Sequence, residues 1–171
     1  MNVFLTSDHH FGHERMCSFL CPNGEKVRPW SCAAEMDEAL IERWNAVIGP
    51  SDKVYHLGDV AIPRSGLQAL TRLNGKKILI RGNHDIYPLK DYAAHFKDVR
   101  GAFFLEGIML THIPIHPDHF RGSYKGNAHG HLHASETMLN GEPDRRYFNS
   151  CVEMHDFFPV PWEEVKASFL Q

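Results

Sequence analysis

The sequence predicts an α/β protein, on two observations. Short apolar runs alternate with stretches of helical periodicity in the order β-α-β-α-β, and several further strands follow. A polar cluster rich in His, Asp and Asn stands just after each of five predicted strands, where open α/β sheets gather their ligand-binding residues. A mixed sheet or two facing sheets flanked by helices is the architecture expected.

Asn2 to Ser7 reads as a buried strand running into Asp8-His9-His10-Phe11-Gly12-His13. Residues 14–32 carry Pro22, Asn23-Gly24 and Pro29 and read as a loop. Met36, Leu40, Trp44 and Val47 recur at spacings of three and four, predicting a helix over 33–48 that Gly49-Pro50 stops. Lys53 to Leu57 is the second strand, ending at Gly58-Asp59. Ser65 is placed to cap a short helix bearing Leu67, Leu70 and Leu73, and Lys77 to Arg81 leads as a third strand into Gly82-Asn83-His84-Asp85. A helical stretch over 89–96 follows. Val99 to Leu105 and Ile108 to Thr111 form a predicted hairpin about Glu106-Gly107, whose second arm ends at His112. After a polar loop (114–126), Asn127 to His133 is taken as a His-rich strand, with His131 and His133 alternating across Leu132 onto one side. Asn140-Gly141 is expected to turn this strand into an arm over 146–152, and a helix over 161–170 closes the chain.

With 171 residues, 43% hydrophobic and 23% charged, the chain fits one globular domain. A formal charge of -3 lacks the basic footprint of most nucleic-acid binders. No apolar run nears the roughly 18 residues of a membrane span, and the first residues carry no signal-peptide pattern. Four cysteines (Cys17, Cys21, Cys32 and Cys151) are too few for a disulfide scaffold, so a cytoplasmic protein is expected. The spacing of Cys17, Cys21 and Cys32 matches no zinc-ribbon pattern.

Thirteen His is the unusual count. Collected in chain order, the strand-end groups are Asp8, His10, Asp59, Asn83, His84, His112, His131 and His133. Taken singly, each has an ordinary reading as a strand-end cap, a turn residue or a satisfied polar group. Together, carboxylate, carboxamide and imidazole suit a pair of hard-to-borderline divalent ions, with one carboxylate able to bridge two of them. His9 and His129 precede these residues and are expected to turn away from them.

Asp8-x-His10, Gly58-Asp59, Gly82-Asn83-His84-Asp85, His112 and Gly130-His131-x-His133 resemble, in order, the motif set of the calcineurin-like metallophosphoesterases. The likeness covers residues 3–133 and is nearest to the small bacterial and phage-encoded members, in which Asp-x-His-Phe-Gly-His opens the chain. It implies a four-layer α/β/β/α sandwich with a dinuclear centre at the strand C-terminal ends. Asp8, His10, Asp59 and His133 would hold one divalent ion, and Asp59, Asn83, His112 and His131 the other. Manganese (Mn2+) is the first expectation, with iron, zinc, nickel and cobalt as alternatives. His84 would be the catalytic group that contacts the phosphate and assists the leaving group.

Val60-Ala61-Ile62 and Asp85 stand where the Ser/Thr protein phosphatases of the superfamily carry Asp-Arg-Gly and Glu, which argues against that activity. No Tyr matches the iron-binding Tyr of purple acid phosphatases, and the length leaves little room for the added segments of the repair nucleases. The implied activity is hydrolysis of a small phosphoester, diesters ahead of monoesters, by a shared water made acidic between the ions. A nucleotide or short nucleic acid is among the candidate substrates, and no obligatory protein partner is expected. An inactive interaction module is the reading from another class. His13, Arg28 and His116 are further candidates for the substrate rim, with Arg81 taken as a structural residue.

Overall fold

The computed structural model describes residues 1–170. Four short strands, β1 (Val3–Thr6), β2 (Lys53–His56), β3 (Lys76–Ile80) and β4 (Asp98–Arg100), run parallel in one sheet. Both faces of β1 to β3 are covered, so these strands read as apolar runs with little polar alternation. α1 (Ala33–Val47) makes the first crossover, a 3-10 segment (Arg64–Arg72) the second, and α2 (Leu89–Ala93) the third. A second sheet holds β5 (Phe103–Leu105), β6 (Ile108–Leu110), β7 (Gly126–His129) and β10 (Tyr147–Asn149) in the order β10-β7-β6-β5. Between β7 and β10 lies a small hairpin of β8 (Met138–Leu139) and β9 (Glu142–Pro143). β11 (Val160–Pro161) closes the first sheet antiparallel to β1, and α3 (Trp162–Ser168) follows it.

Side chains alternate across the first sheet and feed two cores. Phe4, Val54 and Leu79 face the helical layer, where they meet Met36, Leu40 and Trp44 of α1 together with Leu67, Leu70 and Tyr92. Leu5, Tyr55 and Ile80 point the other way, to Ile108, Leu110 and Ala128 of the second sheet and to Trp162 and Val165 of α3. Each such side chain, fully buried, contributes about 1.5–3 kcal/mol. The protein is thus a mixed α/β fold in which two sheets face one another and helices cover the first. The outer face of the second sheet is covered by residues 113–125. There Tyr124 packs on Phe104, Phe120 on Tyr147, and the Ile115 N–H donates to Asn127 Oδ1 at 3.0 Å.

Several expected elements differ. The run Val99–Leu105 is split, because β4 joins the first sheet while β5 pairs with β6 in the second. The His-rich strand ends at His129, and Asn140-Gly141 turns only the β8–β9 hairpin. β10 consequently runs parallel to β7, whereas a hairpin arm would run antiparallel. Residues 64–72 form a 3-10 segment with no side-chain cap, its N-cap position being Pro63 in place of the expected Ser65. No described helix is long and apolar enough to cross a membrane.

Candidate metal centre

Five strand-to-loop junctions converge at one end of the facing sheets. The backbone there is strained: Asp8, His10, Asp59, His131 and His133 all take positive φ, between 49° and 71°. Left-handed backbone in a residue with a Cβ costs about 1–3 kcal/mol and clusters at functional sites. Close approaches explain two of the glycines. Gly58 has φ +98°, and a Cβ there would strike the backbone of Gly82. A Cβ on Gly130 would strike Oδ2 of Asp8, the oxygen that accepts from the His131 N–H at 3.0 Å.

The predicted ligands are brought together as two groups, Asp8–His10–His133 and Asp59–His112–His131; within each, the nominated ligand atoms lie within 4.8 Å of one another. Oδ2 of Asp59 stands between them, 3.6 Å from His10 Nε2 and 3.5 Å from His112 Nε2. Asn83 Oδ1 meets His112 Nε2 at 2.8 Å and His131 Nδ1 at 2.9 Å, so all four members of the second set converge. His112 Nδ1 donates to the Leu57 carbonyl at 2.8 Å and His133 Nδ1 donates to Glu153 Oε1 at 3.0 Å, which leaves each Nε2 with its lone pair. Oδ1 of Asp8 and both ring nitrogens of His10 are buried without a hydrogen-bond partner. Unpartnered buried acceptors are rare unless an ion or catalytic role accounts for them. The donor set and these orphaned atoms fit divalent cations.

The electrostatics agree. Burial alone would raise the Asp8 carboxyl, yet the His10 ring 3.8 Å away and the nearby His112 and His133 hold it well below the usual range. Asp59 is likewise lowered: burial opposes this, and His112 outweighs it. Burial would lower His112, but the Asp59 carboxylate 3.5 Å from its Nε2 and the charge of Asp8 raise it. His133 is raised in the same way, by Glu153 and Asp8 against its burial. His131, by contrast, is lowered by burial and then by His112.

His84 is exposed and its ring lies 5.5 Å from that of His10. Its N–H donates to Asp59 Oδ1 at 2.9 Å. His13 also reaches the cluster: its ring sits 5.6 Å from His10, and burial together with His10 and His84 lowers it to about 4. Arg28 does not form part of a substrate rim. It is 0% exposed and committed to Glu153, to the carbonyls of Asp8 and His9 and to Met36 Sδ, so no donor is left for a phosphate. His116 is exposed and engages its own turn, accepting from the Asp118 N–H at 3.3 Å. His9 and His129 turn away, His9 to a buried contact with His56 at 2.9 Å and His129 Nδ1 to the Gly130 carbonyl. Arg81 is structural, but through the Asp85 carbonyl and the Tyr92 ring, with no ion pair among the described residues. Cys17, Cys21 and Cys32 are free thiols.

Three contributors escaped the sequence reading. The Asp85 carboxylate accepts from the N–H groups of Asp59, Val60 and Gly82, at 2.9, 3.0 and 2.8 Å, and so clamps two of the junctions together. Cys151 donates its thiol to Asp8 Oδ2 at 3.2 Å, and Glu153 backs His133. Asp85 lay in plain view inside a motif. Nothing in the local sequence about Cys151 and Glu153 marks them.

These features define a mixed α/β protein with a carboxylate–imidazole centre at its strand ends. Its fold is similar to the crystal structure of a protein of unknown function from Aquifex aeolicus, at TM-score 0.70 and 23% identity over 97% of this chain and 98% of that one. No family model matches the sequence. It is similar to an uncharacterized protein of Methanocaldococcus jannaschii, 32% identical over 92% of this chain and 85% of that protein. The gene 66 protein of Mycobacterium phage D29 is 37% identical over 96% of this chain and 94% of its own length, and that of phage L5 is 28% identical over 89% and 86%. The chain belongs to the family of these archaeal and phage proteins.

Proposed function

We propose that this protein is a metal-dependent phosphoester hydrolase of the calcineurin-like metallophosphoesterase type, built on that superfamily's α/β/β/α sandwich and acting on phosphodiesters in preference to monoesters. The observation that carries the reading is the position of Asp59 Oδ2, 3.6 Å from His10 Nε2 and 3.5 Å from His112 Nε2, between two three-residue groups of ligand type. Asp8, His10, Asp59 and His133 would hold one divalent ion, manganese by preference, and Asp59, Asn83, His112 and His131 the other. Such ions, when bound, acidify a water and neutralise charge on the phosphoryl oxygens. The chain's own residues supply the rest. Exposed Asn83 and His84 open the centre to solvent on the side where a phosphoester would enter. His84 donates a proton to, or stabilises, the departing oxygen. Asp85, buried beneath, holds the Asp59 and Gly82 backbones in place and does not face the substrate.

Hydrolysis of bis-p-nitrophenyl phosphate against p-nitrophenyl phosphate, each with manganese and with chelator, tests this. Manganese-dependent turnover of the diester above the monoester is expected. Turnover of neither ester under any metal condition would overturn the assignment, and preference for the monoester would overturn the diester part alone.

A further inference from the structure

Arg28 and Glu153 are remote in sequence, and the fold buries them against each other, their side chains 0% and 2% exposed. Nε and Nη2 of Arg28 donate to Oε1 of Glu153 at 2.9 and 2.6 Å. The same guanidinium reaches on, Nη1 to the His9 carbonyl at 2.7 Å and Nη2 to the Asp8 carbonyl at 2.5 Å. Oε1 of Glu153 in turn accepts from His133 Nδ1 at 3.0 Å. One guanidinium therefore holds the backbone of Asp8 and, through a single carboxylate oxygen, the ring of His133. Both belong to the Asp8–His10–His133 group.

Among the described residues, no carboxylate stands behind a ring of the Asp59–His112–His131 group. His112 Nδ1 donates to the Leu57 carbonyl, His131 Nδ1 meets Asn83, itself assigned to that site, and the Asp85 carboxylate holds only the Asp59 backbone. The difference matters, because a carboxylate behind an imidazole fixes its tautomer and makes it a more basic ligand than a carbonyl does. Stability gives no comparable reason for the pair, since desolvation largely offsets the attraction within a buried ion pair.

We infer that Arg28 and Glu153 are positioning residues that hold His133 with its lone pair on Nε2 and thereby make Asp8–His10–His133 the tighter of two divalent-cation sites. This rests on the metal-centre reading given above and adds to it a ranking of the two sites and the residues that set it. Neither residue touches substrate.

Titration of manganese into chelator-stripped protein, followed by calorimetry, tests the ranking, and 15N NMR of the metal-free imidazoles tests the tautomer. Wild type is expected to bind two ions in separable steps, with His133 as the Nδ1–H tautomer. Glu153→Gln keeps the shape and removes the charge; it should weaken the tighter step about 10–100-fold, the usual effect of losing such a partner, and leave the weaker step unchanged. In a His133→Ala background the same substitution should change nothing further. An unchanged titration, equal weakening of both steps, or a persistent effect without His133 would overturn the inference. Should Glu153→Gln fail to fold, the wild-type spectrum still decides: an Nε2–H tautomer at His133 overturns it. Wild type that binds no manganese removes the metal-centre reading itself, a result distinct from all of these.

Discussion

At the scale of single residues, the proposed chemistry and the proposed metal binding would fall to different side chains. His84 lies beside the clustered ligands without belonging to either three-residue group, so His84→Ala should fold, keep its metal and turn over about 10²–10⁴-fold more slowly. Steady-state kinetics with good and poor leaving groups checks this, the deficit shrinking for nitrophenolate, which needs no proton. Asp37 makes a second, independent case. Burial pushes its carboxyl up to about 6, although both oxygens accept from the Gly12 N–H at 3.0 Å. In the unfolded chain the same carboxyl would titrate near its ordinary value of about 3.9, so between about pH 4 and 6 the folded state holds the extra proton. Its contribution to stability therefore falls as pH rises through that window. Asp37→Asn should remove this slope, and melting temperatures of the two proteins in chelator, compared across the window, would show it.

The elements were legible in the sequence to the extent that their signals were local. α1 was readable from the spacing of Met36, Leu40 and Trp44, all now 0% exposed, and β1 to β3 from short apolar runs with both faces buried. Trp44 also donates its indole N–H to the Asn74 carbonyl at 3.0 Å. Trp44→Ala should lower unfolding stability by about 3–5 kcal/mol, as large-to-small changes in a packed core do, measurable by denaturant titration. What failed was pairing over distance. Nothing local to Val99–Leu105 says that its first half joins one sheet and its second half another. The His-rich segment was singled out for an incorrect reason. His131 and His133 reach the two groups from a left-handed loop that follows β7, with φ of 71° and 49°, and strand alternation plays no part. Arg28 was misjudged because a loop arginine is ordinarily solvated, and Glu153 is recognisable only once the fold has carried it to His133.

For the whole molecule, the proposed metal would compete with protons for one set of imidazoles. In metal-free protein His112 and His133 are raised, so their contribution to stability is full below about pH 6.5 and fades as pH rises through their folded values. His131, lowered, opposes this. Manganese, bound as proposed, would require the neutral rings and stabilise the fold by mass action. The gap in melting temperature between manganese and chelator should accordingly widen from pH 6 to pH 8. A gap independent of pH would mean that these imidazoles do not take up the ion.

On the proposed reading, the left-handed junctions would place activity and durability in opposition. Five proposed ligand positions hold an L residue in backbone that glycine adopts freely, a standing strain that binding of the proposed ion would give reason to maintain. A lineage released from selection for catalysis would be expected to drift toward glycine there, gaining robustness as it loses metal. The laboratory form of that drift is simple. Metal-free His131→Gly should be more stable than metal-free His131→Ala by about 1 kcal/mol, the reverse of the usual order for these two residues. Thermal melts of the pair would reveal whether the site is held against the preference of its own backbone.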